Sequence, residues 1–325
     1  MQKTLPTFLA VVFPLLIAGY SEGETADQTR AKPQAEVAPE RAAATNAAVG
    51  HVPEGYRLVW SDEFDSQEQF LSNWSFEHGG TGWGNGELQY YCAGGVYGPT
   101  GQKTASVGDG TLKIKAYKIA PSEESQNREF ISARLNTRKG WKHGYIEMRA
   151  RLPKTKGCWS AFWMLPTDGP SYVRDESRQG GEIDIVEYVP GDDPDNVYFS
   201  AHSYNATGEV GRDSGYVDPA TGVKHPFWKR IGVKDPGDWH CYGVEWTHDY
   251  VRGLCDGVEF FRAPNPNPDG DDTAAWPFDQ SFYIKLNLAI GGSWGGTPAE
   301  DFGEATYEID WVRVYQRPEE SSSKK

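Results

Sequence analysis

The chain has 325 residues, a formal net charge of −14, and 24% charged against 38% hydrophobic residues. An acidic balance of this size disfavours nucleic acid, phosphates and other polyanions as partners and tilts any polymer the chain meets toward a neutral one. The length allows one large domain with a sizeable core. Four cysteines with neither C-x-x-C spacing nor a Cys/His cluster exclude a cysteine-based metal framework.

In chain order, Met1 to Gly19 begins with Lys3 and continues as an apolar run from Phe8 to Ala18, too short for a membrane span and of signal-peptide form. Leu16-Ile17-Ala18-Gly19 resembles a bacterial lipobox, yet Tyr20 stands where the lipidated cysteine belongs. Residues 1–21 therefore predict an exported protein (extracellular, periplasmic or cell-surface), cut after Ser21 and released rather than anchored. Residues 22–52, rich in Ala, Glu, Gln, Thr and Pro, cannot bury enough apolar surface to fold alone and read as a disordered linker. Residues 53–316 carry short strand-like runs, Thr111–Tyr117, Gly144–Arg151, Val197–His202, Cys241–Trp246 and Phe282–Leu288, separated by Gly, Pro, Asn and Asp. Turns at this frequency without helical periodicity indicate an all-β sandwich. Residues 317–325 read as a disordered tail.

Gly180-Gly181-Glu182-Ile183-Asp184-Ile185-Val186-Glu187-Tyr188 is the most informative run. Its β-branched residues favour a strand, on which Glu182 and Asp184 share a face, while Glu187, five positions after Glu182, would point the other way. One unpaired residue between Asp184 and Glu187, a β-bulge, returns Glu187 to the first face. The two glutamate backbones then stand roughly 13 Å apart along the strand. Inclined side chains on a concave sheet bring the carboxyls to about 5–5.5 Å, the separation at which one acts as nucleophile and the other as acid/base on a glycosidic bond. Three like charges so close predict at least one raised pKa. The competing reading is a solvated edge strand whose acids prevent aggregation; the aliphatic opposite face and the aromatic strand upstream argue against it.

Aromatic residues are the second signal, with 12 Trp, 17 Tyr and 14 Phe, because sugar rings present apolar C–H faces that stack on indoles. Trp159 and Trp163, four apart, share a strand face, with core packing as the alternative. Trp294, in Gly291-Gly292-Ser293-Trp294-Gly295-Gly296, lies on a loop where a substrate platform is expected. His202 ends a strand expected beside the acidic one, and is either a hydrogen-bonding group near the reaction or a structural histidine. Cys241 and Cys255 flank a hairpin around Thr247–Tyr250 and form the best candidate disulfide, whereas Cys158, facing away from Trp159, reads as a small buried hydrophobe. The Gly169–Gln179 and Ser203–Asp238 segments are long connections expected to wall the cleft and select substrate.

Six blocks carry a family likeness in addition to the acidic run: Trp60–Phe64, Trp83–Tyr91, Gly157–Leu165, Trp276–Gln280, Leu286–Gly292 and Asp310–Tyr315. Together with Glu182 to Glu187, an E-x-D-x-x-E signature in bulged form, they resemble glycoside hydrolase family 16 in its laminarinase-like branch, over roughly Leu58 to Gln316. The resemblance implies a concanavalin-like β-jelly-roll sandwich of two antiparallel sheets with an open concave substrate cleft. It implies Glu182 as nucleophile, Glu187 as acid/base and Asp184 as the group that positions Glu182, with no redox or organic cofactor. It places Trp159 and Trp163 in the cleft, and matches Asn85 to a rim loop and Arg134 to a strand position where each meets a sugar hydroxyl, ion pairing being the other reading of Arg134. It also offers a structural calcium ion on the convex side through Glu63 and Asp310, against plain salt-bridging of both acids.

The implied activity is retaining, endo-acting hydrolysis of a neutral polysaccharide, first a β-1,3- or mixed β-1,3/1,4-glucan, by a monomer without a membrane span. The same machinery on β-galactosides (mucin-type O-glycans, keratan-like or agar-type chains) is the alternative. A non-catalytic, lectin-like carbohydrate binder is a third reading, which the three retained acids disfavour.

Overall fold

The computed structural model describes residues 50–168, 180–203, 216–217, 224–225, 228–265, 268–269 and 276–318. The signal peptide, nearly all of the expected linker, the Gly169–Gln179 segment and most of the Ser203–Asp238 connection lie outside the described residues.

Two large sheets build the domain. One runs in the order Trp228–Gly232, Asn196–Ser203, Gly181–Tyr188, Cys158–Pro166, Ser281–Ile290, Arg134–Lys142, Trp74–Glu77, antiparallel throughout. The other follows the order Val258–Pro264, Tyr250–Cys255, His240–Trp246, Gly144–Arg151, Glu304–Gln316, Thr111–Lys118, Phe130–Ser132, Gln89–Tyr91. Arg57–Asp62 pairs with Glu304–Gln316 and Ala105–Gly108 with Thr111–Lys118, and among the described residues only the short Gln89–Tyr91 with Phe130–Ser132 pairing is parallel. All five strand-like runs read from the sequence are strands within two residues of their expected ends. The result is a jelly roll of two sheets, as expected.

Period-two alternation fills the space between the sheets. Phe162 and Met164 from one strand, and Ile284, Leu286 and Leu288 from its neighbour, point inward and join Ile146, Met148, Val244 and Val312 of the other sheet in one fully buried cluster. Each such side chain contributes about 1.5–3 kcal/mol by leaving water. The opposite residues of the same strands, Trp159, Ala161, Trp163, Asn287 and Ala289, line a cleft.

The acidic strand breaks the alternation once. Asp184 lies opposite Ser200 and Glu187 opposite Tyr198, so three steps on one strand match two on the next. On the other side, Phe162 pairs with Val186 and Trp163 with Asp184, skipping Ile185. Ile185 and Val186, adjacent in sequence, both enter the core at 1% exposure. This is the bulge the spacing demanded, and it returns Glu187 to the face of Glu182 and Asp184.

Order runs past both expected ends of the domain, and one expected pairing is not made. Val52 packs against the cluster of Tyr56, Tyr145, Leu254 and Tyr315, and the His51 backbone N–H donates to Glu147 at 3.0 Å, so order begins ahead of residue 53. Arg317 lies over the Tyr56 ring at 5.0 Å and 3.6 Å from Glu245, so order also runs past residue 316. The Cys241–Cys255 disulfide is not formed: all four cysteines are free. In that hairpin Tyr242, not Cys241, lies opposite Cys255. Cys255 therefore faces the core with Tyr242, while Cys241 faces outward toward His51 and Glu147. Cys158, in contrast, is buried in the core as expected. Thiol titration of the denatured protein without reductant should count all four cysteines; a count lower by two would restore the bridge.

Candidate active site

Cross-strand register arranges the cleft floor in rows. Laterally, Ser200, Asp184, Trp163, Lys285 and Asn136 form one row, and Tyr198, Glu187, Ala161, Asn287, Arg134 and Glu77 form the next. Glu182 lies opposite His202. Paired residues share a face of the sheet, so this sequence-distant set converges without any loop having to deliver it.

The three acids differ in setting. Asp184 is buried at 3% exposure, whereas Glu182 and Glu187 are half-buried at the cleft surface. Burial first, then the neighbouring Glu187 charge, pushes the Asp184 carboxyl well above the ordinary range, against a hydrogen bond with Glu182 that works the other way. His202 Nε2 lies 3.0 Å from the Asp184 Oδ2 atom. The Trp159 indole N–H donates to Glu187 Oε1 at 2.9 Å, fixing one of its two oxygens.

Beside the acids, the floor is held by a buried ionic group. Glu77 receives Arg134 at 2.6 Å and the Lys285 ammonium, which also donates to the side chain of Asn136 at 2.6 Å. Burial would raise the Glu77 carboxyl, but Arg134 and Lys285 outweigh it and hold it below the usual range. Burial, together with the Arg134 charge, lowers Lys285 to about 8 against the pull of Glu77. The Arg134 guanidinium is sandwiched 4.8 Å from the Trp83 ring and 4.9 Å from Trp163, and Lys285 lies 5.1 Å from Trp163. Trp163 in turn donates its N–H to Asn287 Oδ1 at 2.7 Å. Arg134 is ion-paired, as one of its two readings has it, and it also lines the cleft.

At the rim, Glu87 is buried at 3% exposure and accepts from Gln89 at 2.7 Å and Tyr91 at 3.0 Å. Burial raises its carboxyl despite these donors. Asn85 lines the cleft beside it, and its backbone carbonyl accepts the Ser293 N–H at 2.7 Å, tying the rim loop to the Trp294 segment. That segment needs Gly292: its φ is +81°, and a Cβ there would lie 2.9 Å from the same carbonyl. The Gly292–Gly295 segment forms one helical turn, and Trp294 packs edge-on to Trp159 with ring centroids 5.5 Å apart.

Of the residues singled out in the sequence, Glu182, Asp184, Glu187, Trp159, Trp163, Asn85 and Arg134 line one cleft; His202 joins through Asp184, and Trp294 through Trp159. Glu63 and Asp310 stand apart from it, each holding its own arginine: Arg313 to Glu63 at 2.7 Å and Arg149 to Asp310 at 2.6 Å. Carboxylates neutralised in this way do not fit a calcium ion, and the salt-bridging alternative describes both. Lys285, Trp83, Glu87 and Asn287 were not singled out in advance. For Lys285 a signal existed: a lone charge in the apolar strand Tyr283-Ile284-Lys285-Leu286 implies a buried counter-ion.

A family model for the β-porphyranase A–D GH16 domain matches residues 58–317. The chain belongs to glycoside hydrolase family 16. A β-glucanase of Rhodothermus marinus is 38% identical over 272 residues, spanning 80% of this chain and 85% of that protein. A glucan endo-1,3-β-glucosidase of Cryptopygus antarcticus is 33% identical over 268 residues, spanning 79% and 91%. The X-ray structure of the Rhodothermus marinus laminarinase matches with a TM-score of 0.63 at 38% identity, over 80% of this chain and 97% of that one. Among the described residues of this family 16 glycoside hydrolase, no helix is long and apolar enough to cross a membrane.

Because the folded Asp184 pKa lies above its unfolded value, the native state keeps a proton that the unfolded chain has lost from about pH 4 upward. Its contribution to stability therefore falls as pH rises through that window, up to the folded pKa. Asp184→Asn removes the effect, so the variant's melting temperature relative to wild type should climb between pH 4 and pH 7. An offset independent of pH would refute the assignment.

Proposed function

We propose that this enzyme is a retaining endo-β-glucanase that cuts internal linkages of a neutral β-1,3- or mixed β-1,3/1,4-glucan, with Glu182 as nucleophile and Glu187 as acid/base. The observation that carries the reading is the bulge at Ile185, which gives one face of one strand two solvent-reaching glutamates with a buried aspartate between them.

Glu187 gives its proton to the glycosidic oxygen while a carboxylate oxygen of Glu182 bonds to the anomeric carbon and the C–O bond breaks. The leaving sugar departs with that proton. Water then gives a proton to Glu187 and its oxygen to the anomeric carbon, freeing Glu182 with the original configuration restored. The Trp159 N–H holds one Glu187 oxygen and so orients the carboxyl. Asp184 shares a hydrogen bond with Glu182, and burial with the neighbouring Glu187 charge raises the proton affinity of Asp184 beside the nucleophile. The reaction needs only these carboxyls and water.

The glucan assignment is supported by relatives named for glucan hydrolysis and by the net charge of −14. The galactan alternative has in its favour the porphyranase name of the matching family model. The cleft cations do not strengthen it, because Arg134 and Lys285 already share Glu77. Export, as the N-terminal apolar run predicts, would bring the enzyme to such a polymer.

Glu182→Gln should lower kcat by more than about 10⁴-fold while preserving laminarin binding. Glu187→Gln should cost about 10²–10⁴-fold on natural substrate and much less on substrates with an activated aryl leaving group. Time-resolved NMR of the products should show the β-anomer first. Oligosaccharide release from agarose or mucin but not from laminarin or mixed-linkage glucan would move the assignment to the galactosidase. Binding without release from any of them would overturn catalysis.

A further inference from the structure

Beyond Trp159 the aromatic surface continues. Trp294 meets Trp159 at 5.5 Å and Tyr198 at 4.8 Å, with interplanar angles of 73° and 77°, and Tyr198 meets Trp228 at 6.3 Å and 38°. This file leads from the strand of Trp159 past the acidic strand to the edge strand Trp228–Gly232, three lateral spacings or about 14 Å. That is longer than one pyranose ring.

Polar bonds fix the rings. The Trp294 N–H donates to Asp192 at 3.1 Å, and the Tyr198 hydroxyl donates to Asp193 at 3.1 Å. Asp193 is held in turn by Asn196 at 2.7 Å and Arg230 at 3.1 Å. Trp228, at the far end, is 45% exposed, and among the described residues it is the one aromatic side chain of the exposed large hydrophobics. An indole left half in water on an edge strand gains little from folding, while two acids hold the neighbouring rings in place.

We infer that Trp294, Tyr198 and Trp228 form an extended subsite for the part of a neutral glucan chain that leaves with the proton of Glu187. The inference rests on the assignment of Glu187 as acid/base. Tyr198 lies directly opposite Glu187 in register, and Trp159, which starts the file, holds the Glu187 carboxyl. The sugar whose oxygen receives the proton therefore sits at the head of the file, and the sugars attached to it run along the rings. Arg134, with the Trp83 ring against it, lies on the other side of the acids, over the strands that would hold the glycosyl unit. Asp192, which holds the Trp294 indole, is an acceptor beside the rings and suits sugar hydroxyls.

The test is chain-length dependence in Trp228→Ala, a substitution at an exposed position, with Trp228→Phe as the conservative control. The ratio of kcat/KM on long laminarin to kcat/KM on laminaritriose should fall about 3–10-fold in Trp228→Ala and recover in Trp228→Phe. With reducing-end-labelled laminarihexaose, the main cut should shift toward the labelled end, since fewer leaving-side sugars are then held. A wild-type ratio and cleavage pattern in Trp228→Ala would overturn the extended subsite while leaving the hydrolase reading intact. A wild type that releases nothing from glucan would instead overturn the reading on which it rests.

Discussion

A strand's side chains repeat every two residues, and Glu182 and Glu187 are separated by an odd number, so a regular strand would bury one of them in the core. The structure resolves this conflict with one unpaired position. Ile185 and Val186 both enter the core, both neighbouring ladders absorb the extra residue, and the three carboxyls share a surface. The chemistry of the cleft depends on this local departure. The Trp159 hydrogen bond to Glu187 and the lateral row through Tyr198, Glu187 and Ala161 both require Glu187 on the cleft side. A β-bulge costs ladder hydrogen bonds, and a central strand tolerates it because the displaced aliphatic side chain goes to the interior.

Charge is managed on the same sheet by two different devices. On the acidic strand, burial and a like neighbour raise the proton affinity of the middle carboxyl, and a proton held there reduces repulsion among three acids. Two strands away, the floor buries two cations around one anion and lays both against indole rings. A buried pair or triad of this kind adds little to stability compared with apolar packing, but removing one member leaves an uncompensated charge. The triad therefore fixes the position of Trp163 and the shape of the floor more than it holds the domain together.

The strands and the acidic run were readable because both are local patterns: alternation, turn residues and a spacing that only a bulge reconciles with one face. What was not readable depended on register between strands. The Cys241–Cys255 pairing fails by one position, since the hairpin places Tyr242 opposite Cys255 and so sends the two sulfurs to opposite faces. Sequence proximity across a turn does not fix that parity. The partner of Lys285 is not legible in the sequence because Glu77 is more than two hundred positions away, and only the lateral order of strands brings them together. The Glu63 and Asp310 reading came from likeness alone; Arg313 and Arg149, their actual partners, follow from the paired strands around them.

The backbone bond from Ser293 to Asn85 joins two rim segments that lie far apart in sequence, and the glycine beside it admits no larger residue without strain. Joined in this way, the two segments make one continuous stretch of rim. A border tied through main-chain atoms keeps its outline whatever side chains it carries, so substitutions along it change what the rim touches and not where it stands.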